Sequence, residues 1–340
     1  MAIIRKPGSK TATITQPKFP QRQITRYNLR PYFLKPVIPR ATAKSWSGNN
    51  RTPNKAAKRA KYPPHGYKPT TLISQNAMGF DSQGELMFLY LQTIDGKPAI
   101  SRRVQSRALT GLLNMHQQNL FRPCNKSGRP ELREAIECNG PNAPVVAGEI
   151  NLGWMHLGRV FEIGSKYKTY QQTLNQKHHL LPLLRAIDGI FAEALPEAFA
   201  RQNTKIKWAH RHGFSPFSTL TLLRSAPSAV HVDGRNGAGS FACMTTVRGP
   251  QGYTGGTFCF VEFGVQIRVQ PGELLIAATP FHWHCNLTRV KGLKFSIVCY
   301  FKDALQRKRQ QTCALCGKNF TSIPMRMPRC PKCLADRSKK

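Results

Sequence analysis

Acidic residues are scarce in this chain. Its 340 residues include 16 Asp+Glu against 51 Lys+Arg, a formal net charge of +35, and no acid precedes Asp81. That excess goes well beyond what solubility requires and points to a polyanionic partner, of which nucleic acid is the usual one. Long apolar runs are also missing: none reaches the roughly 18 residues that span a bilayer, so no membrane is expected among the partners. Nor is there a secretory h-region near Met1, where AII is followed at once by Arg5, Lys6 and Pro7. The protein is therefore expected not to be secreted, and to reside in the nucleus of a eukaryote or the cytoplasm or nucleoid of another cell. In such a reducing compartment its ten cysteines are expected as thiols or metal ligands rather than disulfides.

Three segments differ in texture. Residues 1–75 carry 16 Lys+Arg and no acid, interspersed with Pro, Ser, Thr, Asn and Gln. This predicts a disordered basic arm that binds phosphates through counterion release and needs no fold of its own. Tyr27, Tyr32, Phe33 and Trp46 lie among the charges as candidates for stacking on bases. Lys55, Lys58, Arg59 and Lys61 are a weak candidate import signal. Residues 76–304 read as the folded domain and residues 305–340 as a small C-terminal module.

Within the folded domain, GELMFLYLQTI, Asp95-Gly96 and KPAISRRV predict a hairpin whose turn favours positive φ. Ser106 to Phe121 has helical spacing, whereas Arg122 to Gly148 gives no clear pattern. His178 to Asn203 is the best helical stretch, with Leu181, Leu184, Ile187, Phe191, Leu195 and Phe199 near one face and Pro196 expected to bend or divide it. These helices are expected to buttress a sheet.

The chemistry concentrates between residues 215 and 301. Four short strands, Ser240 to Val247, Thr257 to Phe260, Val265 to Val269 and Glu273 to Ala278, alternate with turns such as GPQGYTGG and QPGE. This rhythm predicts a jelly roll, which brings an early strand beside a late one. His231 and Asp233 are two apart in a strand-like setting and therefore share a face. With His284 they make the two-imidazole, one-carboxylate set that holds non-haem Fe(II) and leaves positions open for co-substrate and O2. In LKFSIVCYF, alternation puts Lys294, Ser296, Val298 and Tyr300 on one face. An inward lysine calls for an anionic partner, and the distal carboxylate of 2-oxoglutarate fits, with Ser296 as a second donor. Arg224, on the preceding strand, and Asn236 are further candidates for contact with co-substrate or base. His282 competes with His284 for the metal, and only His284 gives the ten-residue offset to Lys294.

His231-x-Asp233, the TGG turn at Thr254 to Gly256, Pro271 to Glu273, His284 and Lys294 in GLKFS together resemble the 2-oxoglutarate and Fe(II)-dependent dioxygenases. Within them the segment is most similar to the ten-eleven translocation and J-binding proteins (TET/JBP), which oxidise methyl groups of DNA pyrimidines. The resemblance covers residues 215 to 301 and implies an α+β double-stranded β-helix with buttressing helices, using Fe(II), 2-oxoglutarate and O2. It departs from the commoner form of that branch at Lys294, where arginine is frequent. Lysine there is usual in prolyl hydroxylases.

His178 and His179 are adjacent and face different ways on a helix, and His210 and His212 have no carboxylate nearby. After Phe301 the chain gives Cys313-Ala-Leu-Cys316 and Cys330-Pro-Lys-Cys333, two knuckles whose spacing predicts a closed four-thiolate Zn(II) ribbon. So short a segment, with so little apolar core, is expected to fold only with its metal. The sequence thus predicts a dioxygenase that flips a base out of DNA and oxidises its methyl group, on 5-methylcytosine (a DNA demethylation step) or thymine, acting as a monomer on DNA. A prolyl-hydroxylase-like enzyme and a catalytically idle DNA-binding protein are the alternatives.

Overall fold

The computed structural model describes residues 26–46, 63, 67–124, 147–156, 159–160, 167–205, 215–234, 236–237, 239–287, 290–302, 309–312, 316 and 318–322. In chain order the elements are β1 (Arg30–Phe33), α1 (Arg40–Trp46), β2 (Thr71–Ile73), β3 (Ala77–Phe80), β4 (Leu86–Leu91), β5 (Thr93–Ile94), β6 (Lys97–Pro98), α2 (Arg102–Gln117), β7 (Arg122–Pro123), β8 (Gly148–His156), β9 (Arg159–Val160), α3 (Tyr167–Ala194) and α4 (Pro196–Lys205). They continue with β10 (Thr219–Arg224), β11 (Ala242–Thr254), β12 (Phe258–Phe260), β13 (Val265–Ile267), β14 (Leu274–Ala277), β15 (His284–Asn286), β16 (Lys291–Tyr300), β17 (Arg309–Thr312) and β18 (Asn319–Ser322).

Two sheets face each other. The larger runs β1-β3-β4-β14-β11-β16-β10-β8-β7, with β9 on β8, and the smaller runs β15-β12-β13-β2. This is a double-stranded β-helix, and strand alternation explains its layers. On β16 the odd positions Phe295, Ile297 and Cys299 join β14's Leu274 and Ile276 and the helices' Leu112, Ile187 and Phe191 in one core outside the large sheet. The even positions point the other way, into the space between the sheets, where Phe88, Tyr90, Phe258, Phe260, Val265, Ile267 and Leu275 form a second core. Each large apolar side chain buried this fully contributes about 1.5–3 kcal/mol, enough to fix the register of a strand that would flip every residue if it slipped by one.

The four strands predicted between residues 240 and 278 are present as β11 to β14. Other expectations change in detail. The hairpin turn has positive φ at Asp95 (52°) and Gly96 (73°), but its second strand is only Lys97–Pro98. Pro98 offers no ladder N–H, and Ser101 then caps α2 by accepting from the Val104 amide (3.4 Å). The helix therefore begins at Arg102, four residues before the predicted start, and ends before Asn119, whose φ is 52°. The long helical stretch is divided as expected, with Pro196 opening α4, where its missing N–H costs nothing. Pro182, inside α3, is a second break signal that the sequence reading passed over.

The arm predicted over residues 1–75 needs correction. Residues 26–46 and 67–75 belong to the folded domain, so its boundary does not fall at 76. Tyr27, Leu29 and Leu34 are buried, β1 pairs in parallel with β3, and β2 pairs in parallel with β13. α1 covers the outer face of the small sheet, where Ala43 and Trp46 pack with Cys259, Val261 and Cys285. Edge strands draw on backbone pairing more than on apolar periodicity, which is why a few apolar residues among cations sufficed. Tyr27 is thus unavailable for stacking on bases, and Trp46 packs edge-on against Tyr67 (5.6 Å). The import signal, His210 and His212 lie outside the described residues.

Candidate active site

His231 sits on a two-residue bridge to β15. Its amide donates to the His284 carbonyl (3.0 Å), and the His284 amide donates back (2.9 Å). This pairing brings the imidazoles together, 4.2 Å between centroids and tilted by 52°. Asp233 follows two residues on, its amide held by the Thr279 carbonyl (3.1 Å). Its carboxylate lies 3.8 Å from His231 Nε2 and 3.9 Å from His284 Nε2. All three ligand atoms fall within 4.8 Å of one another, the only such metal-competent cluster among the described residues.

The donor set fits a metal for a further reason. His231 Nδ1 lies 2.8 Å from the Ala229 carbonyl and His284 Nδ1 2.9 Å from the His282 carbonyl. A carbonyl accepts only, so each Nδ1 carries the proton and each Nε2 keeps its lone pair for the metal. His282, the rival, is excluded by direction. Its ring packs edge-on against Phe260 and Phe263, and desolvation draws its pKa down to about 4.

Lys294 faces inward, as the β16 alternation predicts. It is buried on the inter-sheet face, and Nζ donates to the Gly256 carbonyl (2.8 Å). The same carbonyl accepts from Asn286 Nδ2 (3.2 Å), two residues beyond His284 on the same strand. Burial alone pulls the ammonium down to about 8, and among the described residues no carboxylate is paired with it. The TGG turn makes room: Gly256 adopts φ +69°, and a Cβ there would meet Nζ at 2.7 Å. A buried cation beside a glycine cradle suits the distal carboxylate of a dicarboxylic acid. Ser296 shares the face and lies opposite Thr246 and Leu223.

Arg224 does not join this group, which corrects its predicted role. It pairs with Phe295 in the β10–β16 register, and so lies on the helix-covered face. There its guanidinium sits over Phe121 (5.1 Å) and Nη1 lies 3.0 Å from His116 Nδ1. Asn236 turns toward the end of β16. Its amide donates to the Asp233 carbonyl (2.7 Å), and its Oδ1 accepts from Lys302 Nζ (3.2 Å). Lys302 in turn lies over the Tyr300 ring (4.6 Å), and Tyr300 OH meets Thr221 Oγ1 (2.9 Å). The sequence reading missed Lys302, although extending the β16 alternation two residues past Tyr300 would have found it. His178 and His179 stack on each other in α3 (3.9 Å) and are not among the triad ligands.

The His-x-Asp, His cluster and a buried lysine facing the interior from the opposite sheet are the arrangement expected of a 2-oxoglutarate and Fe(II)-dependent site. Residues 159–303 match the Tet_JBP family model, described as the oxygenase domain of the 2OGFeDO superfamily. The curated relatives include thymine dioxygenase JBP1-A of Trypanosoma cruzi (strain CL Brener), 28% identical over 133 residues, which cover 37% of this chain and 16% of the relative. Thymine dioxygenase JBP1 of Leishmania infantum is 28% identical over 134 residues, 37% of this chain and 16% of the relative. The chain thus spans about one-sixth of the length of the curated relatives it matches. Among solved structures, NgTET1 in complex with 5mC DNA aligns with a TM-score of 0.44 at 8% identity, covering 81% of this chain and 89% of that one. A prolyl hydroxylase of Trichoplax adhaerens, in complex with a hypoxia inducible factor peptide, aligns with a TM-score of 0.36 at 10% identity, covering 64% and 85%.

Proposed function

We propose that this protein is a 2-oxoglutarate and Fe(II)-dependent dioxygenase that oxidises the methyl group of a DNA pyrimidine, 5-methylcytosine or thymine. The observation that carries the reading is the convergence of His231, Asp233 and His284 within 4.8 Å, with the buried Lys294 ammonium and Asn286 of the His284 strand sharing one carbonyl. His231, Asp233 and His284 would hold Fe(II), and Lys294 would hold the far carboxylate of 2-oxoglutarate. When bound, this pair uses O2 to turn a substrate C–H into C–OH, as 2-oxoglutarate leaves as succinate and CO2.

The chain's own residues bind and orient. Carbonyls of Ala229 and His282 keep the two Nδ1 protons in place. Asn236 donates to the Asp233 carbonyl and accepts from Lys302 Nζ, an amide and an ammonium for an extruded base to meet. A base in duplex DNA is out of reach of a recessed site, so flipping is part of the reading. The net charge of +35 supplies the grip on the backbone. One protein on each DNA site, in the nucleus of a eukaryote, belongs to the same proposal.

The C-terminal cysteines extend it. Cys313 and Cys316 lie in sequence between β17 and β18, which form an antiparallel hairpin; Cys313, Cys330 and Cys333 are outside the described residues. We infer a Zn(II) ribbon from the sequence spacing. One zinc per chain, lost in Cys330→Ser by elemental analysis, is the expected result.

The central test is succinate release and nucleoside mass spectrometry with methylated duplex DNA, unmethylated thymine-containing duplex and peptides. A hydroxymethyl pyrimidine from one duplex is expected. Turnover on peptides alone would favour the prolyl-hydroxylase-like alternative, and DNA binding without any turnover the idle one.

A further inference from the structure

The metal ligand His284 follows an irregular stretch, residues 278–283, that joins β14 to β15. Such a stretch has no continuous ladder, only single backbone bonds at Ala278, Thr279 and Trp283, yet it orients the ligand: the His282 carbonyl lies 2.9 Å from His284 Nδ1. The two neighbours of His282 are both tied down by one pair of side chains. Arg40 Nη2 donates to the Phe281 carbonyl (2.8 Å). Glu262 Oε2 accepts from the Trp283 amide (3.1 Å). The pair is closed by Arg40 Nη1, which reaches both Glu262 oxygens (3.2 and 3.3 Å).

Glu262 is buried, in a chain with only 16 acids among 340 residues. A buried carboxylate is costly unless paired, and the Arg40 fork reaches it while spanning to a backbone carbonyl in a way a lysine ammonium does not. The segment that carries Arg40 is itself anchored on Glu262, whose carbonyl accepts from the Val37 and Ile38 amides (2.8 and 3.2 Å).

We infer that Arg40 and Glu262 are positioning residues for the metal centre: by clamping the peptides on either side of His282, they aim the carbonyl that holds His284 with Nε2 toward the metal. This rests on the Fe(II) reading above. Arg40 also lies outside the family match at residues 159–303, so the N-terminal segment supplies part of a centre whose ligands all come from the oxygenase domain. Partners that orient metal-bound imidazoles typically change affinity by about 10–100-fold when removed. Arg40 acts one link further out, so a loss of about tenfold is expected.

The experiment uses the full chain and Co(II) as the probe, followed by its visible absorption, alongside thermal unfolding of the metal-free protein. Arg40→Gln is expected to weaken Co(II) binding about tenfold and alter the band shape while the metal-free protein melts cooperatively. Arg40→Lys keeps the charge on Glu262 and loses the reach to Phe281; it is expected to melt like the wild type and still bind Co(II) more weakly. Glu262→Gln should behave like Arg40→Gln. Wild-type affinity and spectrum in Arg40→Lys, or in a folded Arg40→Gln, would overturn the assignment and leave a structural ion pair. A wild type whose Co(II) binding is indifferent to His231→Ala would overturn the Fe(II) reading first, a different result from either.

Discussion

Gly256 is a sensitive point of the proposed co-substrate site. A methyl group there would sit 2.7 Å from Lys294 Nζ and 2.9 Å from Val290 Cγ2, on a backbone at φ +69°. Gly256→Ala should therefore raise KM for 2-oxoglutarate at least tenfold and cost about 1–2 kcal/mol of stability, measured by steady-state kinetics and thermal unfolding. Lys294 sets the pH response. Its ammonium titrates near 8 in the fold, and only the protonated form pairs with a carboxylate. KM for 2-oxoglutarate is expected to stay flat below about pH 8 and to rise about tenfold per unit above it. The stability of the free protein should move the other way. The unfolded chain holds this proton up to its ordinary pKa of 10.5, so unfolding takes up a proton between about 8 and 10.5 and stability climbs across that window. Asp233→Ala, by contrast, should abolish turnover and leave DNA affinity nearly unchanged in a binding titration, because the proposed function gives the carboxylate to the metal and the grip on DNA to the cations.

At the scale of elements, the helix layer carries a testable strain. Asp188 on α3 is half-buried against the sheet and accepts from Ser215 Oγ (2.8 Å); desolvation raises its pKa to about 6. A folded-state pKa above the ordinary 3.8 means that stability is lost as pH rises through that window toward 6. Asp188→Asn removes the buried charge and keeps an acceptor for Ser215. It is expected to stabilise the protein at neutral pH by on the order of 2 kcal/mol, and to have little effect near pH 4, in chemical denaturation. The β10–β16 register makes a second element-scale prediction. Arg224 is on the helix side, so Arg224→Ala should lower the melting temperature and leave KM for 2-oxoglutarate unchanged. Here the sequence misled for a physical reason: neighbouring strands share faces through register, and an arginine five residues into an apolar run gives no sign of which face it takes. The alternation on β16 was legible because it holds over eight residues, and one register placed all of them.

For the whole molecule, the charge of +35 is a property that salt can test. Binding to duplex DNA should weaken steeply and linearly in a log–log plot, with a slope of about −0.9 for each phosphate neutralised. A flat response would remove the polyanion from the reading. The same charge hid the N-terminal fold. In a segment with no acid at all, the apolar residues Tyr27, Leu29 and Leu34 looked too sparse to build structure, yet they complete a sheet edge and a core that the following strands prepare. Which distant backbone a strand pairs with, in parallel and without a local turn, has no signature in a short window of sequence.

The chain by itself determined the strand rhythm, the inward face of Lys294 and the pairing of His231 with Asp233 on one face, because residue type and alternation are local quantities. Tertiary structure alone decided the rest. It chose His284 over His282 by the direction of each ring, turned Arg224 away from the site, brought Asn236, Tyr300 and Lys302 together, and placed Arg40 against a peptide 241 residues away. Each of these depends on how two faces meet, and a contact between faces is fixed by packing rather than by either partner's sequence.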